Sequence, residues 1–136
     1  MTPTGVLETC LYASDLDAAE QFYGNTLGLE RVIREGNRHV FFRMSTQMLL
    51  IFNPAETRKP ASKDSLPIPT HGAEGAGHIC FAATSDEISR WHDHLVAQGV
   101  EIDTEITWPN GAKSLYVRDP AGNSVEFAER RLWGFD

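Results

Sequence analysis

Two stretches of the chain, "FRMSTQMLLIF" at residues 42–52 and "VRDPAGNSVEF" at residues 117–127, share one layout. Each opens on an apolar residue and an arginine, crosses a short polar turn and closes on an apolar strand. Laid side by side without a gap, they set Arg43 against Arg118 and Ile51 against Glu126. What precedes each stretch repeats as well, and self-similarity on this scale marks a fold built twice.

In the first half, residues 7–13 alternate and are rich in strand formers, and Ser14 and Asp15 offer a cap for a helix over "LDAAEQFYGNTL", residues 16–27. Ala19, Phe22, Tyr23 and Leu27 recur there at helical spacing, and Gly28 ends the helix. Residues 29–34, 38–44 and 48–53 read as three strands, the last two joined by a polar turn at Ser45 and Thr46. The second half opens on a strand at residues 78–83 and is expected to cap its helix at Ser85 or Asp86. That helix places Ile88, Trp91, His92, Leu95 and Val96 on one face and stops at Gly99. Strands at 100–108, 112–118 and 124–129 follow, with "DPAGN" turning between the last two.

The expected fold is therefore α+β: two βαβββ modules in tandem, residues 5–54 and 77–130, within a single domain of 136 residues. Residues 55–76, rich in Pro, Gly, Ser and charge, read either as a solvated linker or as a lid over a site.

Composition narrows the function. Hydrophobic residues make up 41% of the chain and charged residues 23%, which excludes the disordered classes. The net charge is −7, and the 12 basic residues are scattered, so no nucleic-acid partner and no acidic membrane surface is expected. No stretch approaches the roughly 20 apolar residues that span a bilayer, and no signal-peptide pattern opens the chain. A cytoplasmic protein with a small-molecule partner is the expectation. Cys10 and Cys80 are read as buried free thiols, in keeping with a reducing compartment.

The repeat also places polar groups. Glu8 and His78 hold the same position in their first strands, each followed two residues later by a cysteine, and residues two apart share a sheet face. Glu126, between Val125 and Phe127, is costly to bury unless it is paired or bound to a cation. Glu8, His78 and Glu126 together offer two carboxylates and one imidazole, a set suited to a divalent ion. Taken singly, each is equally explained as an ordinary strand residue. His92 and His94 stand two apart on a helix and face different ways. His39 is isolated, and His71 lies in the Gly-rich approach to His78, within reach of a cavity mouth. No nucleophile elbow, phosphate-binding glycine loop, CxxC pair or HExxH helix is present.

"LETCLYASDLDAAEQFYGNTLGLERV", "GHICFA" and "SLYVRDPAGNSVEFAE" resemble the vicinal oxygen chelate superfamily over nearly the whole chain. This superfamily includes glyoxalase I, extradiol dioxygenases, fosfomycin thiol transferases, methylmalonyl-CoA epimerases and bleomycin-binding proteins. The resemblance implies two curved mixed sheets around a cavity, with a divalent metal (Fe, Mn, Ni, Co or Zn) held by Glu8, His78 and Glu126. It implies Lewis-acid catalysis on a small molecule bound through two adjacent oxygens, by lyase, isomerase or dioxygenase chemistry. Glu8 and Glu126 are then the candidate catalytic bases, Glu8 by a small margin. A fourth ligand of the glyoxalases and epimerases falls on Ile51, which cannot serve, and this points toward three-ligand branches. Arg118, Tyr116 and Trp108 are candidates for the cavity wall, although core packing explains them equally well. The alternative implied by the same resemblance is a metal-free, bleomycin-resistance-type protein that sequesters a drug. Short members commonly build their cavities as homodimers.

Overall fold

The computed structural model describes residues 1–136. Eight strands form two sheets. The first contains β1 (Glu8–Tyr12), β2 (Glu30–Glu35), β3 (His39–Arg43) and β4 (Met48–Phe52) in the order β1-β4-β3-β2. The second contains β5 (His78–Ala82), β6 (Ile102–Thr107), β7 (Lys113–Arg118) and β8 (Ser124–Ala128) in the order β5-β8-β7-β6. In each sheet the first strand runs parallel to the last, and the other neighbours are antiparallel. The two βαβββ modules expected from the repeat are present. The chain divides into two compact units, Met1–Gly75 and Ala76–Asp136, so most of the stretch between the modules belongs with the first.

The repeat extends to detail. Both sheets carry a register shift at one place, between Arg31 and Ile33 in β2 and between Ile102 and Thr104 in β6. Such bulges bend a strand and increase its twist, which helps a four-stranded sheet to curve. Arg43 and Arg118 each reach an acidic residue on the neighbouring strand, Glu30 at 3.7 Å and Asp103 at 3.1 Å. Gly28 and Gly99, at φ 74° and 77°, turn the chain out of the helical segment of each unit, in a region that side chains disfavour.

One face of each sheet is covered. In the first unit α1 (Leu16–Glu20) is capped by Asp15, which accepts from the Ala18 amide at 3.0 Å. It continues into a wider π turn, Gln21–Thr26. Leu16, Ala19, Phe22 and Tyr23 from this segment are buried, as are Leu49, Ile51, Val40 and Phe42 from the sheet. In the second unit, Ile88 and Leu95 are buried on the longer helix Ser85–Ala97, and its Trp91 stacks on Phe127 at 4.6 Å between ring centroids. Val125, Leu115 and Val117 complete that core.

Three local expectations are corrected. The second helix is capped by Thr84, not by Ser85 or Asp86. The Thr84 hydroxyl accepts from the Glu87 amide at 3.2 Å while the Glu87 carboxylate accepts from the Thr84 amide at 2.7 Å. This reciprocal box satisfies two otherwise orphaned donors, which a cap one residue later cannot do. Val96 is exposed rather than part of the buried face. A further short helix, α2 (Pro54–Thr57), begins the stretch read as linker, and Asn53 caps it by accepting from the Ala55 amide. The long helix of the second unit is accordingly α3. No helix is long and apolar enough to cross a membrane.

The "DPAGN" turn is held by a buried carboxylate. Asp119 accepts from the amides of Ala121 at 2.9 Å and Asn123 at 2.8 Å and from the Asn123 side chain at 2.9 Å. The Asn123 side-chain oxygen in turn accepts from the Gly77 amide at 2.7 Å, tying the turn to the start of β5. Replacing Asp119 by alanine leaves several buried donors unpaired, so Asp119→Ala is expected to cost about 2–4 kcal/mol in urea denaturation. A loss below about 1 kcal/mol would show that water replaces the carboxylate.

Candidate functional site

The period-two geometry of the strands puts Glu8, Cys10 and Tyr12 on one face of β1, and His78, Cys80 and Ala82 on one face of β5. These are the faces not covered by helix. Across from Cys80 in register is Glu126, and across from Glu126 is Tyr116. Glu126 is only 5% exposed, yet it lies between residues that can answer its charge. Its Oε2 lies 3.3 Å from Nε2 of His78, and the imidazole is about half exposed. Its Oε1 is buried and makes no well-aligned hydrogen bond, although the Cys80 thiol and the Tyr116 hydroxyl lie close enough to interact with the carboxylate.

This carboxylate governs its neighbours. Burial, and then the Glu126 carboxylate, push the Cys80 thiol up to about 12, so Cys80 stays protonated at neutral pH. The same two causes push the Tyr116 hydroxyl up to about 12. The Tyr116 ring lies over the His78 imidazole at 6.4 Å between centroids. Cys10 and Cys80 are free, as expected; both residues lie on the uncovered faces and are exposed rather than buried, although the Cys80 sulfur itself is partly screened from solvent beside Glu126.

The equivalent place in the first unit is apolar. Cys10 pairs with Leu50 as Cys80 pairs with Glu126. Leu50, not Ile51, is therefore the counterpart of Glu126. The turn before β4 spans residues 44–47 and that before β8 spans 119–123, so a gapless alignment slips by one residue. A slip of one moves a side chain to the opposite face, and Ile51 packs in the helix-covered core. The fourth position remains without a ligand either way.

Of the three expected site residues, the structure brings His78 and Glu126 together in the second unit. Glu8 is exposed on β1 of the first. Within neither unit do three His, Cys, Asp or Glu side chains form a group able to hold an ion. The donors present nevertheless fit a divalent cation. A buried carboxylate oxygen without a well-aligned hydrogen bond is an atom that a cation would satisfy, and oxygen with imidazole is a suitable donor set. Tyr116 belongs to this face. Trp108 instead donates from Nε1 to the Ser114 hydroxyl at 2.8 Å, and Arg118 pairs with Asp103. His92 turns to Asp93 and Glu105.

The first unit contains a cavity of about 590 Å³ on the Glu8 face, lined by Cys10, Tyr12, Phe41, Leu50, Phe52 and Arg38 among others. Residues 68–71 of the stretch between modules form part of its wall. His71 is among them, and its Nδ1 lies 2.7 Å from the Tyr12 hydroxyl. The sequence pattern allows Tyr12 to be found, since it shares a face with Glu8 and Cys10. Arg38 lies in a turn and carries no periodic signal.

The family model for the Glyoxalase/Bleomycin resistance protein/Dioxygenase superfamily matches residues 5–127. A crystal structure of a lactoylglutathione lyase from Agrobacterium tumefaciens is 46% identical, with a TM-score of 0.95 over 99% of this chain and 100% of that one. A glyoxalase/bleomycin resistance protein/dioxygenase from Nocardioides is 22% identical, with a TM-score of 0.73 over 95% of this chain and 85% of the other. A member of the same superfamily from Sphaerobacter thermophilus is also 22% identical, with a TM-score of 0.69 over 94% and 98%. These last two likenesses concern the fold alone. No curated protein matches the chain. With two βαβββ modules in the same strand order and a family model spanning both of them, the chain belongs to the Glyoxalase/Bleomycin resistance protein/Dioxygenase superfamily.

Proposed function

We propose that the protein is a metal-dependent enzyme of the lyase or isomerase type, acting on a small molecule that presents two adjacent oxygens. The observation that carries this is Glu126, a buried carboxylate with one oxygen against His78 and the other unsatisfied. A buried carboxylate oxygen without a well-formed hydrogen bond, on a face that also presents an imidazole, is an atom that a cation would satisfy. The relative at 46% identity, named a lactoylglutathione lyase, supports the same class of chemistry.

In this proposal His78, Glu126 and Glu8 hold the divalent ion, which when bound supplies Lewis-acid stabilisation of charge developing on the substrate oxygens. Glu126 is rigid: it is buried in the middle of a strand and engaged by His78, so it holds position. Glu8 is exposed and carries no ion pair, and its carboxylate oxygen is the group free to take a proton from substrate carbon and return it. Leu50 leaves the fourth side apolar. Glu8 comes from a first unit and the other two from a second. We propose a homodimer as the assembly and the cytoplasm as the compartment.

A second reading has its own support. No three-donor cluster forms within a unit, and the first unit has an apolar-walled cavity, which suits metal-free ligand binding. Elemental analysis of protein purified without chelator separates the two. About one equivalent of Fe, Mn, Ni, Co or Zn per chain is expected, lost in His78→Ala, with turnover of lactoylglutathione, a 2-oxoaldehyde, a diol or a catechol lost in parallel. No metal in the wild type, even after reloading with each ion, would leave only the binding reading.

Glu126 supplies a separate expectation. In chelator-treated protein, Glu126→Leu installs what the first unit already has at Leu50 and removes the unsatisfied oxygen. The variant is expected to be more stable by about 1 kcal/mol in urea while no longer retaining metal. A destabilisation of about 2 kcal/mol or more would make Glu126 a structural anchor instead.

A further inference from the structure

The cavity of the first unit is polarised from end to end. The register sets Glu8 against Met48 and Tyr12 against Phe52, so Glu8 stands at one end of the sheet and Tyr12 at the other, about 13 Å apart along β1. His39 is paired with Phe52, and Arg38, which precedes it, lies at the Tyr12 end. Between the two ends the floor is apolar, formed by Phe41 and Leu50.

Arg38 stands at a well-anchored point of the turn between β2 and β3. Its backbone is fixed on both sides: its amide donates to the Glu35 carbonyl at 2.8 Å, and its carbonyl accepts from Asn53 at 2.9 Å. Its half-buried guanidinium lies over the Phe52 ring at 6.0 Å, and its one side-chain partner is His39 Nδ1 at 3.2 Å. No carboxylate pairs with Arg38 directly; Glu35 meets the other nitrogen of His39, at 3.4 Å. The remaining donors of a guanidinium at an apolar cavity wall suit a planar oxyanion.

The wall opposite is also fixed. The Tyr12 hydroxyl meets His71, and the His71 amide donates to the Thr57 carbonyl at 3.1 Å. At Gly72 a Cβ would come within 3.0 Å of Cγ of Arg58 and 3.2 Å of the Pro54 carbonyl oxygen, so this strap packs closely against α2 and Arg58. The cavity is thus walled within one unit, and its size is that of a site for a small organic molecule.

We propose that this face binds a small organic carboxylate, its anion on Arg38 and its aromatic or branched apolar body over Phe41, Leu50 and Phe52, with the far end toward Glu8. This names the substrate class and rests on the proposed function for its choice of face. A neutral ligand of the same shape fills the floor but leaves Arg38 without a partner.

The test is calorimetric titration of chelator-treated protein with 1-naphthylacetate and with the isosteric neutral 1-naphthylacetamide, so that metal plays no part. The wild type is expected to bind the acid at least about tenfold more tightly. Arg38→Gln is expected to bind both compounds equally, at the affinity of the wild type for the amide, which also shows that the variant is folded. Arg38→Lys, which keeps the charge, retains part of the preference, and Phe41→Ala weakens both compounds alike. Equal binding of acid and amide by the wild type, or a preference that survives in Arg38→Gln, overturns the proposal. Metal retention measured on the same preparations before chelation reports separately on the His78–Glu126 site.

Discussion

Each sheet is covered by helix on only one face, and the alternation of side chains along a strand turns that asymmetry into a division of labour. The covered face takes Leu49, Ile51, Val40 and Phe42 in one unit and Val125, Phe127, Leu115 and Val117 in the other, all with little or no exposure. Every other residue of the same strands faces the uncovered side, where Glu8, Cys10, His78, Cys80 and Glu126 lie. Because the period is two, a core that is specified residue by residue specifies the opposite face as well. The site is rigid for the same reason that the core is packed.

Against that background the two units differ most sharply at one pair of equivalent positions. Leu50 buries a hydrocarbon where Glu126 buries a carboxylate. Hydrocarbon burial stabilises, whereas a buried carboxylate with an unpaired oxygen does not. Duplication of a module followed by divergence of its uncovered faces accounts for the pattern. One face became acidic and imidazole-bearing and the other became an apolar cavity with one arginine at its edge that pairs with no carboxylate.

Much of this was legible before any coordinates. The repeat announced two modules, Gly28 and Gly99 ended the helices, and the placement of Glu8 and His78 two residues before a cysteine put them on corresponding faces. The slip at Ile51 came from the turns. Four residues join β3 to β4 and five join β7 to β8, and a gapless alignment cannot see a one-residue difference in a loop. The cap at Thr84 was within reach, since Thr84 and Glu87 have capping-box spacing, but Ser85 and Asp86 are adjacent and chemically similar candidates. Val96 obeys helical periodicity and is exposed nonetheless, because periodicity gives the side of a helix and not the extent of what packs on it.

The sequence by itself determined the modular architecture, the superfamily and the residues that carry charge on the uncovered faces, because strand alternation and helix termination are local properties of a chain. Only the tertiary structure decided that Glu126 is paired with His78 yet left with an unsatisfied oxygen, that Leu50 is its counterpart, and that Arg38, Tyr12 and His71 meet around one cavity. Tyr12 and His71 are 59 residues apart, and Arg38 sits in a turn. Contacts of that kind depend on where sheet register and loop return bring distant segments, which no local pattern encodes.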